Sequence, residues 1–415
     1  MLDNIFQDRL RTLLEASSIS INGNRPWDIK VHDQRFFRKV LLHGNLGLGE
    51  SYMDGWWDCD DLDELFFRIL SSHIDSRMFV LRKTLDALNS TVRNLQTQAR
   101  AFTVGKEHYD TGNDLFGAML DSRMMYSCAY WPNAKNLDEA QENKLRLIFD
   151  KLRLEPGMRV LDIGCGWGGA ARFAAEKYGA KVVGITISRE QAELARKRCR
   201  EFDIDIRLMD YRDLEGCFDR IYSIGMLEHV GYKNYRTFFD TARQCLNPDG
   251  RLLIQTIGGN RPVSGTDPWI SRYIFPNSMI PAISQISSSF EGKFVLEDWH
   301  SFSYDYALTL QAWHRNFTRN WPELNKSYNG RFYRMWRYYL LSCSGAFRAR
   351  AIQLWQVLMT PAGIKGNCRI PHEPARHRPM LKAVNGRGNG HWNPRQMAER
   401  SGVPLRQSPR SDAAS

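Results

Sequence analysis

The spacing of apolar residues divides the chain into parts with different predicted secondary structure. Over the first part, apolar side chains such as Phe36 and Val40 recur at helical spacing. A glycine-rich stretch over residues 44–49 interrupts this pattern, and an apolar run over residues 65–70 follows it. The pattern predicts a small, mainly helical N-terminal accessory domain over residues 1–95.

From residue 151 onward, short apolar segments alternate with stretches of helical spacing. This alternation is typical of the α/β class, and it predicts a doubly wound, mostly parallel sheet in a catalytic domain over residues 96–359. Seven strands are predicted, over residues 159–163, 181–187, 205–209, 218–224, 251–257, 294–300 and 352–358.

The last part of the chain is rich in proline, glycine and arginine and shows no periodicity. From Thr360 to Ser415 it contains ten Lys or Arg against three acids, so this part carries +7 of the formal net charge of +11. Such a composition cannot bury a core. We therefore predict a structureless basic tail over residues 360–415 that is dispensable for catalysis.

The overall composition restricts the class of protein. A hydrophobic share of 43% and a charged share of 25% are those of a globular protein, and no apolar run is long enough to cross a bilayer. The first 17 residues lack the apolar stretch of a secretory signal, which predicts a cytoplasmic protein. The eight scattered cysteines are then expected to be reduced and to form no metal site.

The most informative motif spans residues 160–169, where an apolar strand runs directly into alternating glycines and then into a helix. These glycines allow a tight turn and close approach of a ligand to the backbone. Dinucleotide-binding enzymes also use such a turn, but the second predicted strand ends in Thr186 and Ser188, without the acid that binds a ribose there. The motif therefore favours the nucleotide loop of class I methyltransferases.

Further motifs occur in order along the chain, at Gly47–Trp57, Lys106–Asp110, Tyr126–Trp131, Gly184–Ser188, Asp210–Asp213, Gly225–Val230 and Cys343–Arg348. With the glycine loop, they resemble the cyclopropane-fatty-acyl-phospholipid synthase family, which includes the mycolic acid cyclopropane synthases. The resemblance covers about residues 19–358. It implies a seven-stranded class I methyltransferase fold and an S-adenosylmethionine-dependent enzyme that adds a methylene across the cis double bond of an unsaturated phospholipid acyl chain.

The resemblance also assigns the cofactor-binding residues. It implies that Tyr126 and Ser127 hold the methionine part, that residues 161–169 form the loop, that residues 186–191 hold the ribose and that residues 210–212 hold the adenine. Taken alone, the tyrosines would be interpreted as core aromatics. The implied set is Tyr126, Ser127, Asp162, Gly164, Cys165, Gly166, Gly168, Thr186, Ser188, Gln191, Asp210, Tyr211 and Arg212.

An alkene is a poor nucleophile, so the implied reaction passes through a carbocation and needs a base that removes a proton before the ring closes. Aromatic faces stabilise cations, and the chain is rich in them between residues 304 and 339. The resemblance supplies bicarbonate as the base. It implies that the ion is held by Cys128, Glu228, Ile257, Tyr306 and the residue at position 255.

Two of these candidates, and Cys343 as a further catalytic candidate, need separate comment. Position 255 carries Gln255 where the resemblance expects a histidine. Glu228 could on position alone be an acid favoured by a helix dipole, and beside bicarbonate we expect it in a hydrogen-bonded cluster with a shifted pKa. Cys343 is the thiol suspected in such enzymes, although a neutral buried thiol is the commoner state of a cytosolic cysteine.

Other functions remain open at this stage. An acyl-chain methyltransferase could leave a branched methyl or methylene product, and a non-catalytic lipid-binding relative could have lost activity through Gln255. The basic tail could indicate a nucleic-acid methyltransferase, but no aromatic and basic binding module is found, so no nucleic-acid partner is expected. The resemblance suggests a homodimer, and the basic charge suits peripheral contact with the inner membrane surface.

Overall fold

The computed structural model describes residues 2–72, 112–263, 265–366 and 369–375. The motif Lys106–Asp110 and the domain boundary predicted near residue 95 lie outside these residues. The N-terminal region is mainly helical, and its two short strands pair with each other in antiparallel orientation. Its elements are α1 (Leu2–Glu15), β1 (Lys30–Val31), α2 (Arg35–Met53), β2 (Trp57–Asp58) and α3 (Leu62–Ser71).

A seven-stranded sheet forms the centre of the rest of the chain. Its order is β5-β4-β3-β6-β7-β9-β8, and only β9 runs antiparallel to its neighbours. This confirms the predicted α/β, doubly wound and mostly parallel sheet. The strands are β3 (Arg159–Ile163), β4 (Lys181–Thr186), β5 (Ile204–Leu208), β6 (Phe218–Ile224), β7 (Leu246–Gly259), β8 (Val295–Ser301) and β9 (Ile352–Thr360).

Helices precede the sheet, connect its strands and cover its faces. Two of them, α4 (Asn113–Met119) and α5 (Leu137–Leu152), come before β3. The others are α6 (Gly169–Tyr178), α7 (Arg189–Cys199), α8 (Leu227–Val230), α9 (Tyr235–Cys245), α10 (Pro268–Tyr273), α11 (Ile283–Phe290), α12 (Tyr304–Leu324) and α13 (Gly330–Arg348). None of the helices in the described ranges is both long enough and apolar enough to cross a membrane.

The strand order reverses between β3 and β6, which lie side by side at the centre of the sheet. The chain leaves β3 toward β4 on one side, and later returns through β6 on the other. In open α/β sheets, ligands bind outside the carboxyl ends of the strands at such a reversal. The topology therefore places the expected site above the ends of β3 and β6.

The N-terminal region does not form a core of its own. Its buried side chains share one hydrophobic cluster with α10, α12 and α13. Trp269 contacts Tyr338 at a ring-centroid distance of 4.5 Å, and Tyr338 in turn contacts Tyr52 of α2 at 5.6 Å. A Cβ atom at Gly345 would lie 2.7 Å from the Asp63 carbonyl oxygen, so α3 packs closely on α13.

The glycine-rich stretch interrupts α2 at Gly44, as the sequence pattern predicts, because the backbone there is not helical, with φ of 56° and ψ of −135°. The helix resumes after Gly44 and runs through Gly47 and Gly49 to Met53. A Cβ atom at Gly49 would lie 2.4 Å from the Trp269 ring. The glycine at position 49 therefore allows close contact between two helices.

Part of the predicted structureless tail makes defined contacts. The His372 ring lies 2.7 Å from an Asp298 oxygen and stacks on His300 at a centroid distance of 4.4 Å, and its carbonyl accepts a bond from Tyr130. The buried Lys151 ammonium holds Asp298 in place at 2.7 Å. Thr360 ends β9, and the Ile364 N–H donates to Glu297 at 2.7 Å. The prediction of a structureless tail is therefore wrong for residues 360–366 and 369–375, and residues 367–368 and 376–415 lie outside the described residues.

Candidate active site

A cavity lies above the carboxyl ends of β3, β4, β5 and β6, where the reversal of strand order predicts it. The turns that follow these four strands form its walls. Residues 124–127, which precede α5, and residues 276–277, which follow α10, close it from the other sides.

The glycine loop after β3 adopts the conformations that its sequence predicts. The φ angles of Gly164, Gly166 and Gly168 are 88°, 52° and 77°, a region that other residues rarely adopt. The backbone N–H groups of Gly164 and Cys165 donate to the Ile185 carbonyl at 3.0 and 2.9 Å, which ties the loop to β4. A Cβ atom at Gly166 would meet nothing within 4 Å, since this residue borders the open cavity.

Asp162, at the end of β3, is the acidic group beneath this loop. It is 2% exposed and accepts a hydrogen bond from the Tyr222 hydroxyl at 2.9 Å. Burial raises the pKa of Asp162 to about 7, against the opposing effects of Tyr222 and Lys144. The carboxyl group is therefore poised to ionise when a cation enters the cavity.

Further polar side chains of the cavity wall follow the ends of β4 and β5. The Thr186 hydroxyl donates to the Gln191 side-chain oxygen at 2.9 Å. Asp210 accepts from the Arg212 backbone N–H at 2.9 Å and forms an ion pair with its guanidinium group at 3.0 Å. These bonds fix the Gln191 and Asp210 side chains in the cavity wall.

Most of the predicted cofactor residues line this cavity, but two do not. Gly168 lies behind the loop at the start of α6, where a Cβ atom would come within 2.8 Å of the Cys199 sulfur. Ser188 caps α7, and its hydroxyl accepts from the Gln191 N–H at 3.3 Å. Both residues shape the wall without forming its surface. The lining members of the set are Tyr126, Ser127, Asp162, Gly164, Cys165, Gly166, Thr186, Gln191, Asp210, Tyr211 and Arg212.

The sequence analysis missed several residues of the cavity wall. Met226 and His229 lie in the motif Gly225–Val230, whose proximity to the glycine loop could have been inferred from the parallel pairing of β3 and β6. Pro276 and Asn277 come from a distant loop, in which Asn277 has a φ of 61°. The Pro-Asn pair indicates a turn, but nothing in the sequence places that turn over the cavity.

The predicted catalytic residues form a second cluster beside the cavity. The Ile257 backbone N–H donates to a Glu228 carboxyl oxygen at 2.7 Å, and the Gln255 amide donates to the Cys128 carbonyl at 3.2 Å. Tyr306 is partly buried near Cys128 and Glu228, its ring contacts Trp313 at a centroid distance of 6.1 Å, and burial raises the pKa of its hydroxyl well above the usual value. The cluster thus joins residues that are far apart in the sequence.

Glu228 is the acid of this cluster. Burial raises its pKa to about 7, although hydrogen bonds from Ile257 and Thr256 act in the opposite direction. Among the described residues, its second carboxyl oxygen and the Tyr235 hydroxyl have no hydrogen-bond partner, and both atoms are buried. The cluster therefore offers polar atoms to a small polar ligand.

The two predicted cysteines are both neutral at physiological pH. Burial raises the pKa of Cys343 to about 12 and that of Cys128 well above its usual value. The Cys128 thiol donates to the Ala129 carbonyl at 3.1 Å. A thiol with so high a pKa is a weak nucleophile.

A group of packed aromatic side chains, here called the aromatic enclosure, connects the cavity wall with the cluster. The Tyr126 and Tyr339 hydroxyls lie 2.9 Å apart, and the Tyr126 ring contacts Trp313 at a centroid distance of 5.2 Å. Tyr306 stacks on Phe347 at 4.5 Å. Two other tyrosines between residues 304 and 339 do not belong to this group. Tyr304 is 58% exposed, and Tyr338 packs on Trp269 of α10.

Comparison with known families agrees with this geometry. Residues 96–357 match the family model described as mycolic acid cyclopropane synthetase. The chain belongs to this family. The seven-stranded sheet and the glycine loop are thus those of a family with a class I methyltransferase fold, as the sequence motifs predicted.

Individual relatives extend the similarity to nearly the whole chain. The cyclopropane-fatty-acyl-phospholipid synthase of Escherichia coli K12 is 52% identical over 359 residues, which cover 86% of this chain and 94% of that protein. The tuberculostearic acid methyltransferase UfaA1 of Mycobacterium tuberculosis is 33% identical and covers 77% of this chain and 79% of its own length. A solved structure of the mycolic acid cyclopropane synthase CmaA1, complexed with SAH and CTAB, is similar with a TM-score of 0.58 and 31% identity, covering 62% of this chain and 97% of that one.

The raised pKa of Glu228 makes stability depend on pH in a definite direction. The folded protein retains this proton between the usual pKa of 4.5 and about 7, so the free energy of unfolding falls as the pH rises through that interval. Glu228→Gln removes this contribution. We expect the free energy of unfolding of the variant, minus that of the parent, to be roughly 1–3 kcal/mol larger at pH 8 than at pH 5.

Urea unfolding at the two pH values measures this difference. Glu215→Gln is the control, because Glu215 is an exposed acid outside the cluster and its replacement should give a difference that does not change with pH. A pH-independent difference for Glu228→Gln would contradict the assignment of the raised pKa.

Proposed function

We propose that the protein is a cyclopropane-fatty-acyl-phospholipid synthase that uses S-adenosylmethionine to add a methylene across the cis double bond of unsaturated acyl chains in membrane phospholipids. One observation carries this proposal in structural terms. Tyr126 lines the cofactor cavity and also bonds to Tyr339 in the aromatic enclosure, so this residue belongs to both compartments of the proposed site. The acyl chain is proposed to lie against the aromatic enclosure, where a methyl donor in the cavity can face it.

The residues of the cavity fit S-adenosylmethionine. Its glycine loop borders open space, which lets the backbone approach a ligand, and the buried Asp162 beneath the loop suits the positive charge of the cofactor. Asp210 and Gln191 present polar groups to a ribose or an adenine at the ends of β4 and β5. When bound, the cofactor supplies an electrophilic methyl group.

The aromatic enclosure fits the substrate and the carbocation that the reaction requires. Trp313 and Tyr339 are buried and Tyr126 packs on Trp313, and a ring face stabilises a cation by about 0.5–2 kcal/mol. An apolar enclosure also keeps water from capturing the cation. The acyl chain of a phospholipid suits such a surface better than a polar substrate does.

Bicarbonate is the proposed base, held in the cluster of Cys128, Glu228, Gln255, Ile257 and Tyr306. The unpartnered Glu228 oxygen and Tyr235 hydroxyl support a small polar ligand there. Because the pKa of Glu228 is about 7, its carboxyl group can keep a proton and donate a hydrogen bond to an anion. The Ile257 N–H is already bound to Glu228, so an anion at Ile257 has to share this donor.

The proposed place of action is the cytoplasm, at the inner surface of the membrane, with a homodimer as the proposed assembly. The formal charge of +11 suits an anionic lipid surface. Val263 and Ile283 are 44% and 53% exposed, and Gln285 links their two segments by a hydrogen bond to the Val263 carbonyl. These apolar side chains lie in the segment between β7 and β8, which also carries the cavity residues Pro276 and Asn277.

Turnover on lipid vesicles tests the proposed function. We expect the purified protein with S-adenosylmethionine to convert vesicles of an unsaturated phospholipid into cyclopropane products, detected by gas chromatography of the fatty acid methyl esters. Vesicles of a saturated phospholipid are the control and should give none. Branched methyl or methylene esters would instead assign an acyl-chain methyltransferase, and vesicle binding without any product would favour a non-catalytic relative.

Gly166→Val tests the cofactor assignment. The new side chain would project into the cavity, so we expect calorimetric binding of S-adenosylhomocysteine to be lost. Gly157→Val is the matched control, because Gly157 also has a positive φ, of 83°, and open space around its Cβ, but it lies at the opposite end of β3. Unchanged affinity in a folded Gly166→Val protein would contradict the assignment.

Gln255→His tests the bicarbonate assignment. Gln255 is buried, donates to the Cys128 carbonyl and accepts from the Gln356 amide at 3.0 Å, so it holds a fixed neutral position. A glutamine can bond to the anion but cannot carry a charge or export a proton. We therefore expect the parent to be active, slower than the histidine variant, and more dependent on added bicarbonate.

The structure indicates that the histidine can be accommodated. The Gln356 side-chain oxygen is buried and has no partner among the described residues, so it can accept the imidazole N–H. Both proteins are assayed in bicarbonate-depleted and bicarbonate-supplemented buffer. If neither responds, the anion is not the base, and activity of the histidine variant alone would mean that the parent is non-catalytic.

A further inference from the structure

A fully buried lysine lies directly behind the wall of the cofactor cavity. Lys144, on α5, has no exposed surface and donates to the Ser127 hydroxyl at 2.9 Å. Ser127 lines the cavity, whereas Lys144 does not. Burying an ammonium group is costly unless its charge and hydrogen bonds are used. A purely structural contact to a serine would not need a charge.

The chemistry of the lysine fixes the direction of this hydrogen bond. A protonated ammonium group has three donors and no acceptor, so the Ser127 oxygen must accept. The hydroxyl proton of Ser127 is then available to a different acceptor. Among the described residues, the Ser127 hydroxyl makes no other hydrogen bond, and its residue borders the cavity. The lysine thus leaves Ser127 as a donor toward the ligand.

A nearby acid helps to keep the ammonium group protonated. Burial lowers the pKa of Lys144 to about 8, and the charge of Asp121, whose own pKa is about 6, is the largest effect that opposes it. The lysine is therefore charged at neutral pH. Gln141, one turn earlier on α5, donates to the carbonyl groups of Met125 and Ser127 at 3.2 and 2.9 Å and holds the serine over the lysine.

We propose that Lys144 is a positioning residue, which orients the Ser127 hydroxyl to donate a hydrogen bond to the carboxylate of S-adenosylmethionine. This inference rests on the proposed function, because it concerns the cofactor named there. The carboxylate is the one anionic group of that cofactor and accepts hydrogen bonds only. A buried cation behind Ser127 favours this group over the ammonium group beside it.

Two ligands that differ in the amino acid part separate this role from a general effect on folding. S-adenosylhomocysteine carries the carboxylate, whereas 5′-methylthioadenosine keeps the adenosine and the thioether but lacks it. We expect Lys144→Met to weaken calorimetric binding of S-adenosylhomocysteine about tenfold or more, as for the loss of a charge-assisted hydrogen bond. Binding of 5′-methylthioadenosine should change less than about twofold.

Lys151→Met is the matched control. Lys151 is also fully buried on α5, but its ammonium group pairs with Asp298 and does not line the cavity. Its replacement should leave the ratio of the two affinities unchanged even if it lowers the unfolding temperature. Equal weakening of both ligands by Lys144→Met would show a merely structural role and overturn the proposal.

A double replacement tests whether the lysine acts through the serine. Ser127→Ala alone should lower the affinity for S-adenosylhomocysteine relative to that for 5′-methylthioadenosine. Adding Lys144→Met to Ser127→Ala should lower this ratio by less than a further twofold. If Lys144→Met does not fold, an unchanged ratio in Ser127→Ala is sufficient to overturn the proposal. If the parent binds neither ligand, the cofactor assignment fails, which is a different outcome.

Discussion

Both compartments of the proposed active site depend on the hydrogen bonds that α5 makes with residues 124–128. Gln141 binds the carbonyl groups of Met125 and Ser127, and Lys144 binds the Ser127 hydroxyl. The segment is thereby fixed so that three consecutive residues serve three environments. Tyr126 reaches the aromatic enclosure, Ser127 lines the cofactor cavity, and the Cys128 carbonyl receives the Gln255 amide. A shift of this segment would disturb all three at once.

The described part of the N-terminal region packs on α13, and none of its residues lines the cavity. Tyr338 and Gly345 of α13 face the shared hydrophobic core, where Tyr338 contacts Tyr52 and Trp269 and Gly345 allows α3 to approach. Tyr339 and Cys343 of the same helix face the aromatic enclosure. Because one helix carries both surfaces, packing of the N-terminal region determines the position of the enclosure. The shared hydrophobic core is thus a functional constraint as well as a stabilising one.

Local sequence patterns predicted the sheet well and the N-terminal region less well. The predicted bounds of β3 and β6 agree with the structure, because strands buried on both faces appear as short apolar runs between turns. The predicted break occurs at Gly44, whereas Gly49 lies inside the helix and admits the Trp269 ring, a difference that the sequence pattern does not show. His372 was assigned to the tail because its partners, Asp298 and Tyr130, are remote in sequence.

For the site too, sequence motifs identify some residues, whereas others are found only from contacts between segments that are remote in the sequence. The motifs predicted most of the cavity wall, yet Lys144 and Gln356 were missed because each acts through a neighbour in space and belongs to no motif. Such residues could be found only by following the hydrogen bonds outward from the motif residues. Residues outside the motifs that identify the family therefore also hold the residues of the proposed site in position.

Electrostatics links the two compartments of the proposed reaction. Burial raises the pKa values of Asp162 and Glu228 to about 7, so these two carboxyl groups are largely protonated below neutrality. A cationic cofactor lowers the cost of ionising Asp162 beneath it, and binding then releases a proton. Glu228 lies in the other compartment and keeps its proton more readily. A protonated carboxyl group is a poor nucleophile, as is the Gln255 amide, so neither captures a carbocation in the enclosure. The burial that makes these groups costly to ionise thus also makes them compatible with a cationic reaction.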